Sequence, residues 1–585
     1  MKAVIAAVCG PTFHGLLRIR NRSGDHRYRP GEGGKCPFVN WVAAQVCRTA
    51  TTLYNFPIAA EASHTDSSGV KCFLFLSLIV GLATNLQAAD HKRPNVLLIC
   101  VDDLKPLLGA YGDRTIKTPH LDRLAARGTR FDRAYCNQAI CAVSRNALMT
   151  GLRPTTVGIY DLSTNFRVAT PDAVTVAQYF QRHGWRTESL GKVMHRGHGN
   201  HEDAASWSVP HFVPKAATYV TAAALAIKQS GAASQTGPAV AKGEPGARGY
   251  RPAVANGPSI EIADVPDNAY PDGLVAEEAI RRLQASKARP AEPLFLAVGF
   301  TKPHLPFSAP RKYWDLYNRA AFELAAVPTA PEGAPSYSPA SWGELRAYAD
   351  IPRAGPLSPD QQRELIHGYH AATSYMDAQV GKVLDELDRL ALSDNTIIVL
   401  WGDHGWHLGD HGQWCKHSNF EEATRIPLLM IDPRQGRPGS SSSALVETVD
   451  LYPTLAELAG LPPPTVSQKL DGRSFAAVVR NPAAPTKEAI FHVYPRTRPG
   501  DGFVLGRAVR TARHRLVEWK KPGAAPATAD LELYDYTADP LERKNLAAEQ
   551  PAVVARLRAL LAAEPEAKPQ ITGPAPQPKT KKAKG

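Results

Sequence analysis

Two adjacent carboxylates, Asp102 and Asp103, follow directly on the apolar run Val96–Val101, and an acid with a histidine, Asp403-His404, follows Thr396–Leu400 by way of Trp401-Gly402. Two more polar clusters stand in the same relation to apolar runs. Thr301-Lys302-Pro303-His304 comes after Leu294–Phe300, and Lys192 with His195 comes after Thr187–Leu190. Carboxylates gathered at neighbouring strand ends repel one another unless a cation lies between them, and oxygen donors of this kind suit a hard metal ion. Each cluster alone would be ordinary, since Asp-Asp after a strand is a common turn or cap. The last candidate is Cys141 in Cys141-Ala142-Val143-Ser144-Arg145. On a helix, residues four apart share a face, and free N–H groups at a helix start favour an anion beside them.

These groups can act together only if the chain brings the ends of their apolar runs to one place. The runs alternate with amphipathic stretches: Thr118-Pro119 opens a helix reaching Gly128, with further helices expected at Val174–His183, Leu274–Ala288, Gln361–Leu390 and Leu451–Leu458. That alternation predicts an α/β fold with a mostly parallel sheet flanked by helices. In such sheets ligand groups collect beyond the carboxyl ends of the strands, which is where all four clusters fall. Ile426–Ile431 reads as a further strand, and 206–267 and 320–358 as irregular insertions. From about 485 the pattern changes to short strands (Ala489–Val493, Arg507–Val509, Arg515–Trp519, Leu531–Tyr534) and a last helix, Ala552–Ala563, which predicts a smaller C-terminal α+β subdomain over 485–566.

The chain has 585 residues, 44% hydrophobic and 21% charged, with 8 cysteines, which excludes collagen-like, disulfide-scaffold and wholly disordered classes. The net charge of +13 is mostly terminal: residues 1–89 contribute +5 and 568–585 another +5, leaving +3 for the body. A nucleic-acid partner is therefore not expected. Lys71 followed by Cys72–Leu82 and the small residues Gln87-Ala88-Ala89 reads as a signal peptide over 70–89, too short for a stable membrane span. The expected location is periplasmic or secreted, with the true start near Val70 and 1–69 a mis-annotated or disordered extension. Cys100, Cys136, Cys141 and Cys415 in the body form no CxxC pair, so neither zinc nor a disulfide lattice is indicated. The Pro/Lys-rich stretch 567–585 reads as a disordered basic tail.

The combined motifs resemble the sulfatases that use formylglycine. The matching stretches are Arg93-Pro94-Asn95-Val96 through Asp103, Thr118-Pro119-His120-Leu121-Asp122, Cys141–Pro154, Gly191-Lys192-Val193-Met194-His195, Lys302-Pro303-His304, Asp403-His404-Gly405-Trp406 and Leu531-Glu532-Leu533-Tyr534-Asp535. Within the family, Gln138-Ala139-Ile140-Cys141, Ile159-Tyr160-Asp161 and Gly409-Asp410-His411-Gly412-Gln413-Trp414 are similar to the iduronate-2-sulfatase branch. The resemblance implies an alkaline-phosphatase-like fold and a sulfate ester of a uronate or other sugar as substrate. It implies oxidation of Cys141 to formylglycine by a maturation enzyme, and one Ca²⁺ held by Asp102, Asp103, Cys141, Asp403 and His404. By the same likeness Arg145, Lys192 and Lys416 hold the sulfate, His304 protonates the leaving alcohol, and His195 removes a proton from the hydrated aldehyde. Trp406 and His417 lie near these residues in sequence; a core position is expected for Trp406. One position departs from the family: the third residue of the cysteine motif is Val143, where Pro or Ala is usual. Two rival readings stay open on the sequence alone, a non-catalytic binder of sulfated glycans and a phosphatase or phosphodiesterase of the same fold.

Overall fold

The computed structural model describes residues 17–21, 24–28, 93–230, 256–340, 343–434 and 436–571. The signal-like segment at 70–89 and residues 572–585 of the tail expected over 567–585 lie outside the described residues; the first residues of that stretch are packed on the fold, the Lys568 N–H donating to the Thr155 carbonyl at 3.0 Å and the Ile571 N–H to the Gly158 carbonyl at 2.8 Å. The chain divides into two units, Met1–His91 and Lys92–Gly585. In the first, Leu17–Asn21 and Gly24–Tyr28 pair as an antiparallel hairpin.

The second unit is built on an eight-stranded sheet. Its main elements, in chain order, are β1 (Asn95–Val101), α1 (Pro119–Arg127), β2 (Thr129–Tyr135), α2 (Cys141–Thr150), α3 (Val176–Arg182), β3 (Arg186–Gly191), α4 (Pro271–Lys287), β4 (Leu294–Phe300), α5 (Pro359–Arg389), β5 (Thr396–Gly402), β6 (Leu428–Ile431), β7 (Ser440–Glu447) and α6 (Leu451–Leu458), and the eighth strand of the sheet is the two-residue Arg425–Ile426. Strand β1 runs parallel to both β4 and β5, and β3 parallel to β4. The other half is mixed: β6 is antiparallel to β5 and β2, while β7 is parallel to β2.

Strand β1 shows why this half of the sheet must lie in the middle. Its side chains alternate between faces, and both faces are apolar. Val96, Leu98 and Cys100 pack with residues of α2, α3 and α6, while Leu97, Ile99 and Val101 pack with α1, α4 and α5. Helix α5 starts with a capping box, in which Ser358 and Gln361 satisfy each other's backbone N–H groups, and Pro359 sits at its first position.

Several elements differ from the sequence reading. Ile426–Ile431 is not one strand: Arg425–Ile426 pairs with the far end of β2, and Leu428–Ile431 follows after Pro427, which has no N–H for a ladder. The insertion at 206–267 contains a helix, Ala222–Ser230, and a short strand, Ile260–Ala263, parallel to Phe307–Pro310. Strands β2 and β7 have no counterpart among the expected strands. Arg130, Asp132 and Arg133 interrupt β2, and the start of β7 is a run of serines.

The C-terminal part is an antiparallel meander, β8 (Ala489–Arg498), β9 (Gly502–Thr511), β10 (His514–Lys520) and β11 (Asp530–Asp535). Helix α7 (Pro551–Ala562) covers it through Val554, Leu557 and Leu561 against Val509, Leu516 and Leu533. It is fastened to the large sheet beside Cys141. Asn137 donates to the Phe491 carbonyl at 2.9 Å, and its own carbonyl accepts from Val493 at 3.0 Å. Buried Glu447, at the end of β7, pairs with Arg153 at 2.7 Å and with Lys487 at 2.5 Å.

Candidate active site

The parallel strands β1, β5, β4 and β3 end on the same edge of the sheet, and their ends carry the four polar clusters. Val101 is level with Phe300 and with Gly402, and Gly191 is level with Gly299. Asp102-Asp103, Asp403-His404 and Lys302–His304 therefore leave the sheet side by side. Lys192 is set by a close backbone approach: its N–H donates to the Gly299 carbonyl at 2.9 Å. A Cβ on Gly299 would lie 2.1 Å from the Lys192 carbonyl carbon, so no larger residue fits there without displacing the lysine.

Helix α2 brings in Cys141 and Arg145. Cys141 is its first residue, after extended Ile140, so the N–H groups of its first turn have no partner within the helix. The thiol is buried, with Sγ 3.3 Å from His404 Nε2. Ser144 ties the helix to the end of β5 by donating to the Asp403 carbonyl at 2.5 Å.

Arg145 does face Cys141's side of the helix, but its guanidinium does not reach toward the opening. It is fully buried behind the carboxylates, with Nε 3.0 Å from Asp403 Oδ2 and Nη2 3.1 Å from Asp102 Oδ1. Nη1 donates to the Lys192 and Val193 carbonyls. Arg145, expected to hold sulfate, is engaged here by two carboxylates. The planar fork satisfies two buried carboxylates whose desolvation would otherwise be uncompensated.

The remaining cations sit in front. Lys192 Nζ pairs with Asp102, and Lys416 Nζ lies 3.0 and 3.2 Å from the two Asp103 oxygens. A short hairpin, His407–Leu408 with Trp414–Cys415, delivers Lys416. Trp406 is buried beneath it, its ring centroid 5.0 Å from Lys416 Nζ, so the expectation of a core tryptophan agrees with its place. Asp102, Asp103 and Asp403 thus each have a side-chain cation beside them.

Two overlapping sets offer donors for a metal ion. Asp102, Cys141, Asp403 and His404 form one, and Asp102, Asp103, Cys141 and His304 the other, with the donor atoms of each within 4.8 Å of one another. Several buried carboxylate oxygens converging with one imidazole suit a hard divalent cation, and the geometry fits the group the motifs imply.

The two candidate acid–base histidines differ in surroundings. Burial opposes charge on His304, but the Asp103 and Asp102 carboxylates prevail and raise it to about 10. Its Nδ1 lies 2.5 Å from the Leu305 carbonyl, and buried Lys302 fastens the loop by donating to the His304 carbonyl at 3.0 Å. His195 is buried, and that burial, with Lys192 and His198 nearby, drives it down to about 2 and keeps the ring neutral. Its Nε2 lies 3.1 Å from His198 Nδ1, a neighbour the motifs do not single out.

Burial and then the Asp102 carboxylate push the Cys141 thiol up. An unmodified cysteine here is therefore a poor source of thiolate. Glu344 is absent from the sequence-derived set. It lies in the 320–358 insertion, whose loop composition carries no catalytic motif, yet its carboxylate is 2.9 Å from Lys416 Nζ and 3.2 Å from His304 Nε2. His417 stands at the same place, with Nε2 3.9 Å from Glu344.

Residues 94–461 match the sulfatase family model, and 409–566 match the model described as N-sulphoglucosamine sulphohydrolase, C-terminal. The chain belongs to the sulfatase family, the class of sulfuric ester hydrolases. It is 34% identical over 538 residues to human iduronate 2-sulfatase, covering 80% of this chain and 94% of that one. To the mouse iduronate 2-sulfatase it is 38% identical over 519 residues, covering 77% and 90%. Among solved structures, a protein in complex with its substrate D-glucosamine-2-N,6-O-disulfate superposes with a TM-score of 0.61 at 21% identity, covering 81% of this chain and 97% of that one. The phosphonate monoester hydrolase of Agrobacterium radiobacter superposes at 0.60 and 21%, covering 81% and 96%, and both establish the fold. Both expectations, an alkaline-phosphatase-like α/β fold and a sulfatase similar to iduronate-2-sulfatase, hold.

Proposed function

We propose that this sulfatase removes a sulfate ester from a uronate or other sugar of a sulfated glycan, using formylglycine at position 141 and one divalent metal, Ca²⁺. The observation that carries the proposal is the convergence on Cys141, at the open start of α2, of His404 at 3.3 Å, two metal-competent donor sets and the cations Lys192 and Lys416. The substrate class is supported by the iduronate 2-sulfatase relatives.

Asp102, Asp103, Asp403 and His404 would hold the metal, with position 141 as a further contact, and Arg145 would keep two of these carboxylates in place from behind. The bound cation would withdraw charge from the sulfate group. Without it the buried carboxylates and side-chain cations balance, so a divalent ion leaves a net positive site for an anionic ester. Position 141, as the hydrated aldehyde, would supply the attacking hydroxyl, at a helix start whose free N–H groups favour the negative charge that develops. Lys192 and Lys416 would orient the sulfate oxygens. His304 would protonate the departing alcohol oxygen, and His195 would take the proton of the second hydroxyl. Export through the 70–89 signal and maturation by a formylglycine-generating enzyme belong to the same proposal.

The test is the intact mass of the peptide Ala134–Arg145 from protein made in its own host. An aldehyde in place of the Cys141 thiol supports hydrolysis as described. Unmodified cysteine would instead leave a metal-dependent binder of sulfated glycans, consistent with Val143 in the maturation motif.

A further inference from the structure

Three charged residues far apart in sequence meet at the mouth of the site because their apolar neighbours share one small core. Leu305, next to His304, packs in one cluster with Leu345, next to Glu344, and with Trp406 and Cys415, the latter next to Lys416. Tyr348 and Ile351 pin the far side of the Glu344 loop in the same cluster. The Glu344 carboxylate is thus set by packing rather than by a free loop, and it is mostly buried.

Two of its contacts are with groups that have reaction roles in the proposed function. Glu344 Oε1 is 3.2 Å from His304 Nε2, while the Asp102 and Asp103 oxygens are farther off, at 4.0 and 3.9 Å. The other ring nitrogen, Nδ1, is 2.5 Å from the Leu305 carbonyl. Glu344 also reaches Lys416 Nζ at 2.9 Å, which is held on its other side by Asp103. The imidazole is therefore gripped at both nitrogens, and Glu344 is the carboxylate within hydrogen-bonding reach of the nitrogen that faces the site.

We infer that Glu344 is a positioning residue for alcohol departure: its carboxylate, anchored on Lys416, turns the His304 ring so that the single Nε2–H, which it accepts before the ester enters, is shared with the leaving oxygen when the ester is in place and then passes to it. This rests on the acid role of His304 given above. The proton delivered travels from His304 Nε2 to the ester oxygen as the S–O bond breaks. Glu344 neither gains nor loses a proton in that step; it fixes the ring that does.

The leaving-group dependence of the full-length, aldehyde-bearing enzyme separates this role from a merely structural one. A series of aryl sulfates graded by the acidity of their phenols is the probe, because only poor leaving groups need an acid. His304→Ala should lose about a hundredfold in kcat on the poorest leaving group and little on the best, as expected for removal of a general acid. Glu344→Gln should tilt the series in the same sense, by about tenfold at the poor end, as partial loss of that acid's contribution. A uniform loss across the series for Glu344→Gln, alongside the tilt for His304→Ala, would overturn the inference and leave Glu344 acting on Lys416 alone; so would no loss at all. A uniform loss for His304→Ala would remove the acid assignment itself, and the inference with it. Should Glu344→Gln not fold, Glu344→Asp provides the same reading: a tilt with unaltered melting temperature supports positioning, and a flat series refutes it.

Discussion

Cys141 Sγ and His404 Nε2 lie 3.3 Å apart although 263 residues separate them in the chain. The first stands at the start of a helix that packs on one face of the sheet; the second follows the end of a central strand. Neither position is free to drift, because Ser144 binds the backbone of Asp403 and Arg145 binds its carboxylate. The predicted nucleophile and a predicted metal ligand are thus fixed to each other through residues one helical turn away.

Replacing Cys141 by alanine should abolish sulfate release while leaving the fold intact, since the side chain makes a single polar contact. Sulfate release from an aryl sulfate and a far-UV circular dichroism spectrum check the two halves. Retention of more than a trace of activity would exclude position 141 as the source of the nucleophile.

Val143→Pro should raise the fraction of aldehyde at position 141. The Val143 N–H lies in the first turn of α2, where no helical acceptor exists for it, so proline removes no ladder bond. Peptide mass spectrometry of the two proteins made side by side gives the occupancies. Equal occupancy would mean that valine is no obstacle to maturation.

Arg145→Ala should destabilise the protein by about 3–5 kcal/mol, the usual cost of stranding buried charges, because Asp102 and Asp403 lose their shared partner. Arg145→Lys should recover only part of this, since an ammonium cannot span both carboxylates as a fork does. Urea unfolding monitored by tryptophan fluorescence measures both. A change under about 1 kcal/mol for the alanine variant would contradict the buried pairing.

Chelation should abolish activity and lower the melting temperature, and Ca²⁺ should restore both. A ligand present at about 100 times its dissociation constant stabilises the fold by about 2.7 kcal/mol. Asp103→Asn should weaken the effect of added Ca²⁺ on melting, so binding can be read without any assay of turnover. An identical melting shift in wild type and variant would remove Asp103 from the ligand set.

Acid should loosen the joint between the two sheets. Burial disfavours charge on Glu447, but Arg153 and then Lys487 outweigh it and hold the carboxyl down at about 2. A free glutamate titrates near 4.3, so the fold favours the ionised form, and the stabilisation is complete above that value. It is lost as the pH falls from about 4.3 toward 2, and amounts to the order of 3 kcal/mol. Glu447→Gln should be less stable at neutral pH and should show a shallower loss across that acid range. Parallel stability–pH curves for the two proteins would disprove the linkage.

Much of this site could be read from the sequence because its parts are local. An apolar run followed at once by acids marks a buried strand with a polar carboxyl end, as with Val96–Val101 and Asp102-Asp103. The spacing of Cys141 and Arg145 is itself helical geometry. What these local patterns could not specify is direction. Arg145 reads as a cation available to sulfate, and only the packing of α2 against β1 and β5 turns it toward Asp102 and Asp403. Strand β2 escapes a pattern search because its charged residues interrupt the apolar alternation, and its pairing with β6 and β7 supplies what its own composition lacks. Glu344 is the clearest case. Nothing in its loop distinguishes it from any surface acid, and its place beside His304 and Lys416 follows from the shared burial of Leu305, Leu345 and Cys415. Chemistry carried by adjacent residues is written in the chain, whereas a contact made by three distant segments exists only once their hydrophobic surfaces have met.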